Sequence, residues 1–315
     1  MKLALIDLGS NSARMFVLKY TKEKGFEYTS RRRIMTRLSE GMSESGFLQK
    51  AAMERTTEVL SDFAAEAKAD GTSVLAVATA AVRKAQNSAE FCREVEKRTG
   101  IAINVISGET EALFDFKGAM DGLTQVSDCL ITDTGGGSTE LILVKERRQL
   151  AKVSIPVGAV SLYENFGNDY RDAERMIEEK LKEAELSDNI GRIPVVGLGG
   201  SVCAAARTDM LLTDGKTNGE IHGYEIPADR LNTLLGSLKD KTPQEREKLG
   251  IEKGRADTIC HGLLPTAVIM RMITSPRLIV CRYGLREGIL AEMSKGDTEE
   301  YIRNPQSFIE KYVKI

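Results

Sequence analysis

One short design occurs twice in this chain. LALIDLGSNSARMFVL (3–18) and CLITDTGGGSTELILV (129–144) superpose with Asp7 over Asp133, Gly9 over Gly135 and Ser12 over Ser138, each followed by an apolar run. An apolar strand, an acid, a glycine-rich turn and a second apolar strand make a hairpin, and two hairpins of one design predict two related domains. Glycine lets backbone approach a ligand closely, and successive N–H groups at such a turn converge on an anion. Ser10, Asn11 and Ser12 in the first turn, and Ser138 and Thr139 beside Gly135, Gly136 and Gly137 in the second, add polar side chains. The acids belong beside phosphate only if a divalent cation stands between them, and aspartate is a hard oxygen ligand suited to Mg²⁺. Two such hairpins facing each other would grip a phosphate chain from both sides.

The rest of the sequence alternates strands with helices, the pattern of an α/β fold. SVLAVAT, INVIS, PVVGLGG and RLIVCRYG read as further strands, and QKAAMERTTEVLSDFAAEAKADG and SAEFCREVEKRTG have helical apolar spacing and end in glycine. YRDAERMIEEKLKEAELS and PADRLNTLLGSLKDKTPQEREKLG read as charged, solvated amphipathic helices. The closing SFIEKYVKI also has helical spacing and is expected to return to the first domain, giving 1–124 plus 297–315 and 125–296 as the two domains. With 44 Lys+Arg against 46 Asp+Glu, net charge gives no sign of a nucleic-acid partner. The five cysteines form no CxxC pair and the two histidines lie far apart, which argues for a reducing compartment and against a zinc site. MKLALID is too short an apolar run for a signal peptide, and no run is long enough to span a bilayer. A cytoplasmic protein with no membrane partner is the expectation.

Seven motifs in order, IDLGSNSARM, ATAAVRKAQN, ISGETEA, DTGGGSTEL, SIPVGAVSL, GLGGS and YGLREGIL, together resemble the exopolyphosphatase and guanosine pentaphosphate phosphohydrolase family, within the superfamily of actin and the sugar kinases. The resemblance implies two actin-like (ribonuclease H-like) domains flanking a cleft. It also implies removal of a terminal phosphate from inorganic polyphosphate, or from guanosine pentaphosphate, with Mg²⁺ or Mn²⁺. Relatives are commonly dimers, so a homodimer is expected.

Residue by residue, the resemblance places Glu111 of ISGETEA at the catalytic base and Glu140 of GGGSTE at the second essential carboxylate, with Asp7, Asp133 and Glu140 as metal ligands. It makes Arg83 a phosphate-holding arginine. The phosphate-binding set is Gly9, Ser10, Asn11, Ser12, Arg83, Gly135, Gly136, Gly137, Ser138, Thr139, Gly199, Gly200 and Ser201. Simpler readings stand beside these. Glu111 at the start of a helix complements the helix dipole, Arg83 is a surface helix residue, and GLGGS is a tight strand-to-helix crossing instead of a nucleoside or phosphate seat. Thr110 stands where relatives often have a second glutamate, and Cys281 where they usually have serine, which fits a packing role. Arg31, Arg32, Arg33 and Arg37 form either an exposed charged strand or a polyanion track. The motifs end near Leu290, without the histidine-aspartate hydrolase domain of longer relatives. That favours short polyphosphate chains, and so few aromatic residues (5%, no Trp) argue against a guanine pocket. A kinase, an actin-like ATPase or a nucleotide-sensing regulator is the rival reading.

Overall fold

The structure, a computed structural model, describes residues 1–184, 190–215 and 219–313. It divides into two compact units, Met1–Glu111 with Ile289–Ile315, and Ala112–Gly288. The sequence had placed these junctions at 124/125 and 296/297; they fall instead inside the helices Gly108–Gly122 and Leu285–Met293. No glycine or proline linker marks a junction that runs through a helix.

The first unit is built on a five-stranded sheet in the order β3-β2-β1-β4-β5, comprising β1 (Lys2–Leu8), β2 (Ser12–Thr21), β3 (Gly25–Met35), β4 (Ser73–Ala78) and β5 (Ile103–Val105). β1, β2 and β3 form an antiparallel meander, while β4 and β5 lie parallel to β1. The second unit repeats the plan with β6 (Cys129–Thr134), β7 (Thr139–Lys145), β8 (Arg148–Ile155), β9 (Val195–Leu198), β10 (Glu225–Pro227) and β11 (Arg277–Val280), in the order β10-β11-β9-β6-β7-β8. β6, β7 and β8 are again an antiparallel meander, β9 pairs parallel with β6 and β11 parallel with β9. The repeated motif is thus a repeated topology, and each unit is a mixed α/β domain built on an antiparallel meander extended by parallel strands. The central strands β1, β4, β6 and β9 are almost wholly buried, the mark of strands covered on both faces.

Helices Lys50–Ala69 and Ser88–Thr99 cover the first sheet as their spacing predicts, through Leu60, Phe63, Phe91 and Val95. In the second unit the core is organised around Ile259–Met272, of which Ile259 through Met270 are all buried. The charged stretch from Tyr170 forms the helix Tyr170–Glu183; its last residues, 185–187, lie outside the described residues. PADRLNTLLGSLKDKTPQEREKLG is two helices, Ala228–Lys239 and Pro243–Lys248, because Thr242 caps a new start at Pro243. The closing segment forms only the short helix Pro305–Ile309, with Phe308 and Ile309 buried in the first unit; residues 314–315 lie outside the described residues.

Candidate active site

Both glycine turns close in the same way. Gly9 N–H donates to Ser12 O at 3.1 Å, and Gly135 N–H to Ser138 O at 2.9 Å. The strands beyond each turn pair in the same frame, Asp7 opposite Arg14 and Asp133 opposite Glu140. The superposed hairpins therefore differ in charge at one equivalent position. In the first, Arg14 reaches Asp7 at 3.3 Å, so this acid has its counter-charge within the hairpin. In the second, two carboxylates face across the strands, with Glu140 buried and accepting a hydrogen bond from Ser154 Oγ at 2.7 Å. Like charges directly opposite on a sheet are destabilising, an arrangement that a shared cation or proton relieves.

Each turn is held from behind. Asn11 O accepts from Thr36 N–H and Arg37 N–H at 3.1 and 3.0 Å, and Ser10 O from Ser39 N–H at 3.0 Å. Gly135 O accepts from Ala159 N–H, and Gly136 O from Val160 and Ser161 N–H, at the start of helix Ala159–Phe166. That approach requires Gly158, where a Cβ would stand 2.4 Å from Gly137 N. Ser10, Ser12 and Ser138 are buried against their turns. Thr139 is also buried, and its hydroxyl donates to Val157 O at 2.7 Å, so this side chain braces the strand.

Glu111 and Arg83 are brought together by β4, β5 and the segments that follow them. Arg83, on the short helix Ala80–Lys84, donates through Nη1 to Ile106 O at 3.0 Å and to Glu111 Oε2 at 2.9 Å. Glu111 sits in the first turn of Gly108–Gly122 and is only 8% exposed. A dipole-complementing surface acid would be open to water; this one is inside, aimed by a guanidinium. Arg83 is likewise more than a surface helix residue, because it fixes the carboxylate and the loop carbonyl before it.

The GLGGS turn is both a tight crossing and a polar cradle. A Cβ on Gly197 would press on Leu278 and Val202 at 2.8 Å, so glycine there serves the packing of strand against helix. β9 ends at Leu198, and Gly199, with φ +85°, opens helix Gly199–Asp214. A Cβ on Gly199 would meet Asp133 Oδ1 at 2.6 Å, and one on Gly200 would meet Arg255 Nη2 at 2.1 Å. Arg255 Nη1 also donates to Ser201 Oγ at 3.5 Å, with Glu252 4.0 Å from its Nε. A nearly buried guanidinium at a helix N-terminus opposes the dipole, and an anion between them would reconcile the two. Arg255 is the residue that sequence reasoning missed, since nothing in KGRAD marks it.

Other candidates fall elsewhere. β3 is an edge strand, with Arg31 and Arg33 exposed on one face and Arg32 turned to Glu66 at 2.7 Å on the other. Cys281 is buried, its thiol 3.2 Å from Tyr283 O and pushed up to about 12 by burial, which suits packing. Among the described residues no three His, Cys, Asp or Glu side chains gather as a metal site. Two facing carboxylates still suit Mg²⁺, which keeps several waters and takes one or two carboxylates together with substrate phosphates. No helix among the described residues is long and apolar enough to cross a membrane.

Comparison with known proteins fixes the family: the Ppx/GppA phosphatase family matches residues 17–296. The chain belongs to it. This Ppx/GppA protein is 27% identical over 312 residues to Exopolyphosphatase 1 of Mycobacterium leprae, covering 95% of this chain and 91% of that protein. It is 29% identical over 309 residues to a guanosine-5'-triphosphate,3'-diphosphate pyrophosphatase of Vibrio vulnificus, covering 95% of this chain but 61% of that longer protein. The crystal structure of an exopolyphosphatase from Cytophaga hutchinsonii shares the fold with a TM-score of 0.84 at 23% identity, over 94% of this chain and 98% of that one. Relatives of both names are phosphoanhydride hydrolases, the class to which this Ppx/GppA enzyme belongs.

Proposed function

We propose that the protein is an exopolyphosphatase that releases terminal orthophosphate from inorganic polyphosphate, with short chains preferred, and that Glu111 is its general base. The observation that carries this reading is the buried Glu111 carboxylate held by Arg83 at 2.9 Å. Phosphoryl transfer to water needs an oriented nucleophile and electrostatic stabilisation more than covalent chemistry. Glu111 accepts the proton of the attacking water, and Arg83 keeps the carboxylate aimed. Gly9 to Ser12, Gly135 to Ser138 and the Gly199–Ser201 turn with Arg255 hold phosphate oxygens through N–H, hydroxyl and guanidinium donors. Asp133 and Glu140 would hold a divalent cation, Mg²⁺ or Mn²⁺, which when bound supplies neutralisation of phosphoryl charge.

Guanosine pentaphosphate is the second reading, favoured by the extra anion cradle at Arg255, which a nucleotide phosphorylated at two positions would use. Polyphosphate is preferred because recognition of guanine needs a stacking surface, and the chain is poor in aromatic residues, 5% with no Trp. Release of phosphate from short polyphosphate, long polyphosphate and guanosine pentaphosphate with Mg²⁺ orders these substrates by kcat/KM. A tenfold or greater preference for the nucleotide, about 1.4 kcal/mol, would overturn the polyphosphate assignment. Expected alongside are a cytoplasmic location and a homodimer; gel filtration with light scattering tests the latter.

A further inference from the structure

The residue before Glu111 is tied to a part of the chain 202 positions away. Thr110 N–H donates to Ser107 Oγ at 3.1 Å, the Ser107 hydroxyl donates to Thr110 Oγ1 at 3.1 Å, and Thr110 Oγ1 donates to Tyr312 O at 3.1 Å. Each hydroxyl thus accepts once and donates once, in a chain that ends on a backbone carbonyl. Glu111 N–H donates to Ser107 O at 2.9 Å in the same helical turn. The turn carrying Glu111 is therefore gripped at two points, by Arg83 on its carboxylate and on Ile106 O, and by Tyr312 through Thr110.

The far end of this tie is itself fixed. Tyr312 N–H donates to Ile309 O at 2.9 Å, its ring lies 5.2 Å from buried Phe308, and its hydroxyl donates to Glu292 Oε2 at 3.0 Å. Burial, with Glu292 beside it, pushes the Tyr312 phenol up to about 12, so it stays a donor throughout the neutral range. Phe308 and Ile309, buried in the first unit, anchor the segment.

We propose that Thr110 is a positioning residue for the hydrolysis reaction: through its hydroxyl, the segment Pro305–Val313 holds the first turn of the Glu111 helix in the geometry in which that carboxylate meets water. The inference rests on Glu111 being the base. A hydroxyl contact that only stabilised the fold would change thermal stability and leave turnover alone. One that aims a general base changes kcat at constant KM, since small misplacements of a reacting group cost large factors in rate.

Phosphate release from short polyphosphate by Thr110→Val, Thr110→Ser, Tyr312→Phe, the Thr110→Val/Tyr312→Phe pair and Glu111→Gln tests this. Thr110→Val is expected to lower kcat by roughly tenfold with KM held within about twofold. Thr110→Ser, which keeps the hydroxyl, should restore kcat. Tyr312→Phe should lower kcat several-fold alone and add nothing in the Thr110→Val background, the non-additivity of residues on one path. Near wild-type turnover of Thr110→Val beside an inactive Glu111→Gln would overturn the positioning role and leave the base intact. An active Glu111→Gln would remove the base assignment, and the role of Thr110 with it. Loss of activity in Thr110→Val that Thr110→Ser fails to restore would assign Thr110 to packing alone.

Discussion

Acid should destabilise this protein through one buried histidine. His261 is fully buried in Ile259–Met272, between the rings of Tyr163 and Tyr170 at 5.5 and 5.1 Å. Its Nε2 lies 2.7 Å from Gly167 O, which makes that nitrogen the donor, while Nδ1 is buried without a partner. Protonation would place a second N–H where nothing accepts it. Burial lowers the folded-state pKa from 6.5 to about 4, with Arg246 and Lys239 also opposing the cation and Asp257 and the Gly167 carbonyl favouring it. The unfolded chain therefore takes up a proton in a range where the folded one does not, and stability falls as pH drops from about 6.5 toward 4. Linkage with these values gives a loss of roughly 2.5 kcal/mol between about pH 7.5 and 4.5. Urea unfolding of wild type and of His261→Gln, which keeps a donor for Gly167 O but does not titrate, should give curves that converge by that amount over the interval. Parallel curves, within about 0.5 kcal/mol, would refute the reasoning.

Other perturbations have outcomes as definite. Arg147 Nη1 donates to Leu123 O, Thr124 O and Val126 O at 2.9, 3.0 and 2.9 Å, and its Nη2 to Met120 O, closing the end of helix Gly108–Gly122. Arg147→Met, which keeps the stem, should cost about 2–3 kcal/mol in chemical unfolding. Gly158→Ala should lower both stability, by about 1–3 kcal/mol, and turnover, because its Cβ strikes the backbone of Gly136 and Gly137, which the circular dichroism melt and phosphate release will report. Phe308→Ala empties a buried site in the closing segment and should cost about 3–5 kcal/mol of stability in the same unfolding assay.

The hairpins were legible because they state their design twice, and one frame aligns both the residues and the hydrogen bonds. The helices Lys50–Ala69 and Ser88–Thr99 were legible because one face is apolar and the other charged. Ile259–Met272 lacks that contrast, being apolar on every side with Pro265 inside it, so periodicity had nothing to report. Of the two readings of Arg31, Arg32 and Arg33, the exposed charged strand describes β3, an edge strand whose exposed positions alternate through Glu27, Thr29, Arg31 and Arg33. The Glu111–Arg83 pairing was partly legible: the motifs named both residues, but the contact joins positions 28 apart that no local pattern links. Arg255 on Ser201 and Thr110 on Tyr312 were invisible, because such contacts join residues 54 and 202 positions apart without a pattern in either segment.

The central claim, water attack on a phosphoanhydride with Glu111 as base, is tested most directly by single-turnover phosphate release from short polyphosphate by wild type and Glu111→Gln. The account predicts a rate for Glu111→Gln lower by about 10²–10⁴-fold, the usual contribution of a general base, with substrate affinity little changed. A rate within about tenfold of wild type would contradict it and move the base to another residue.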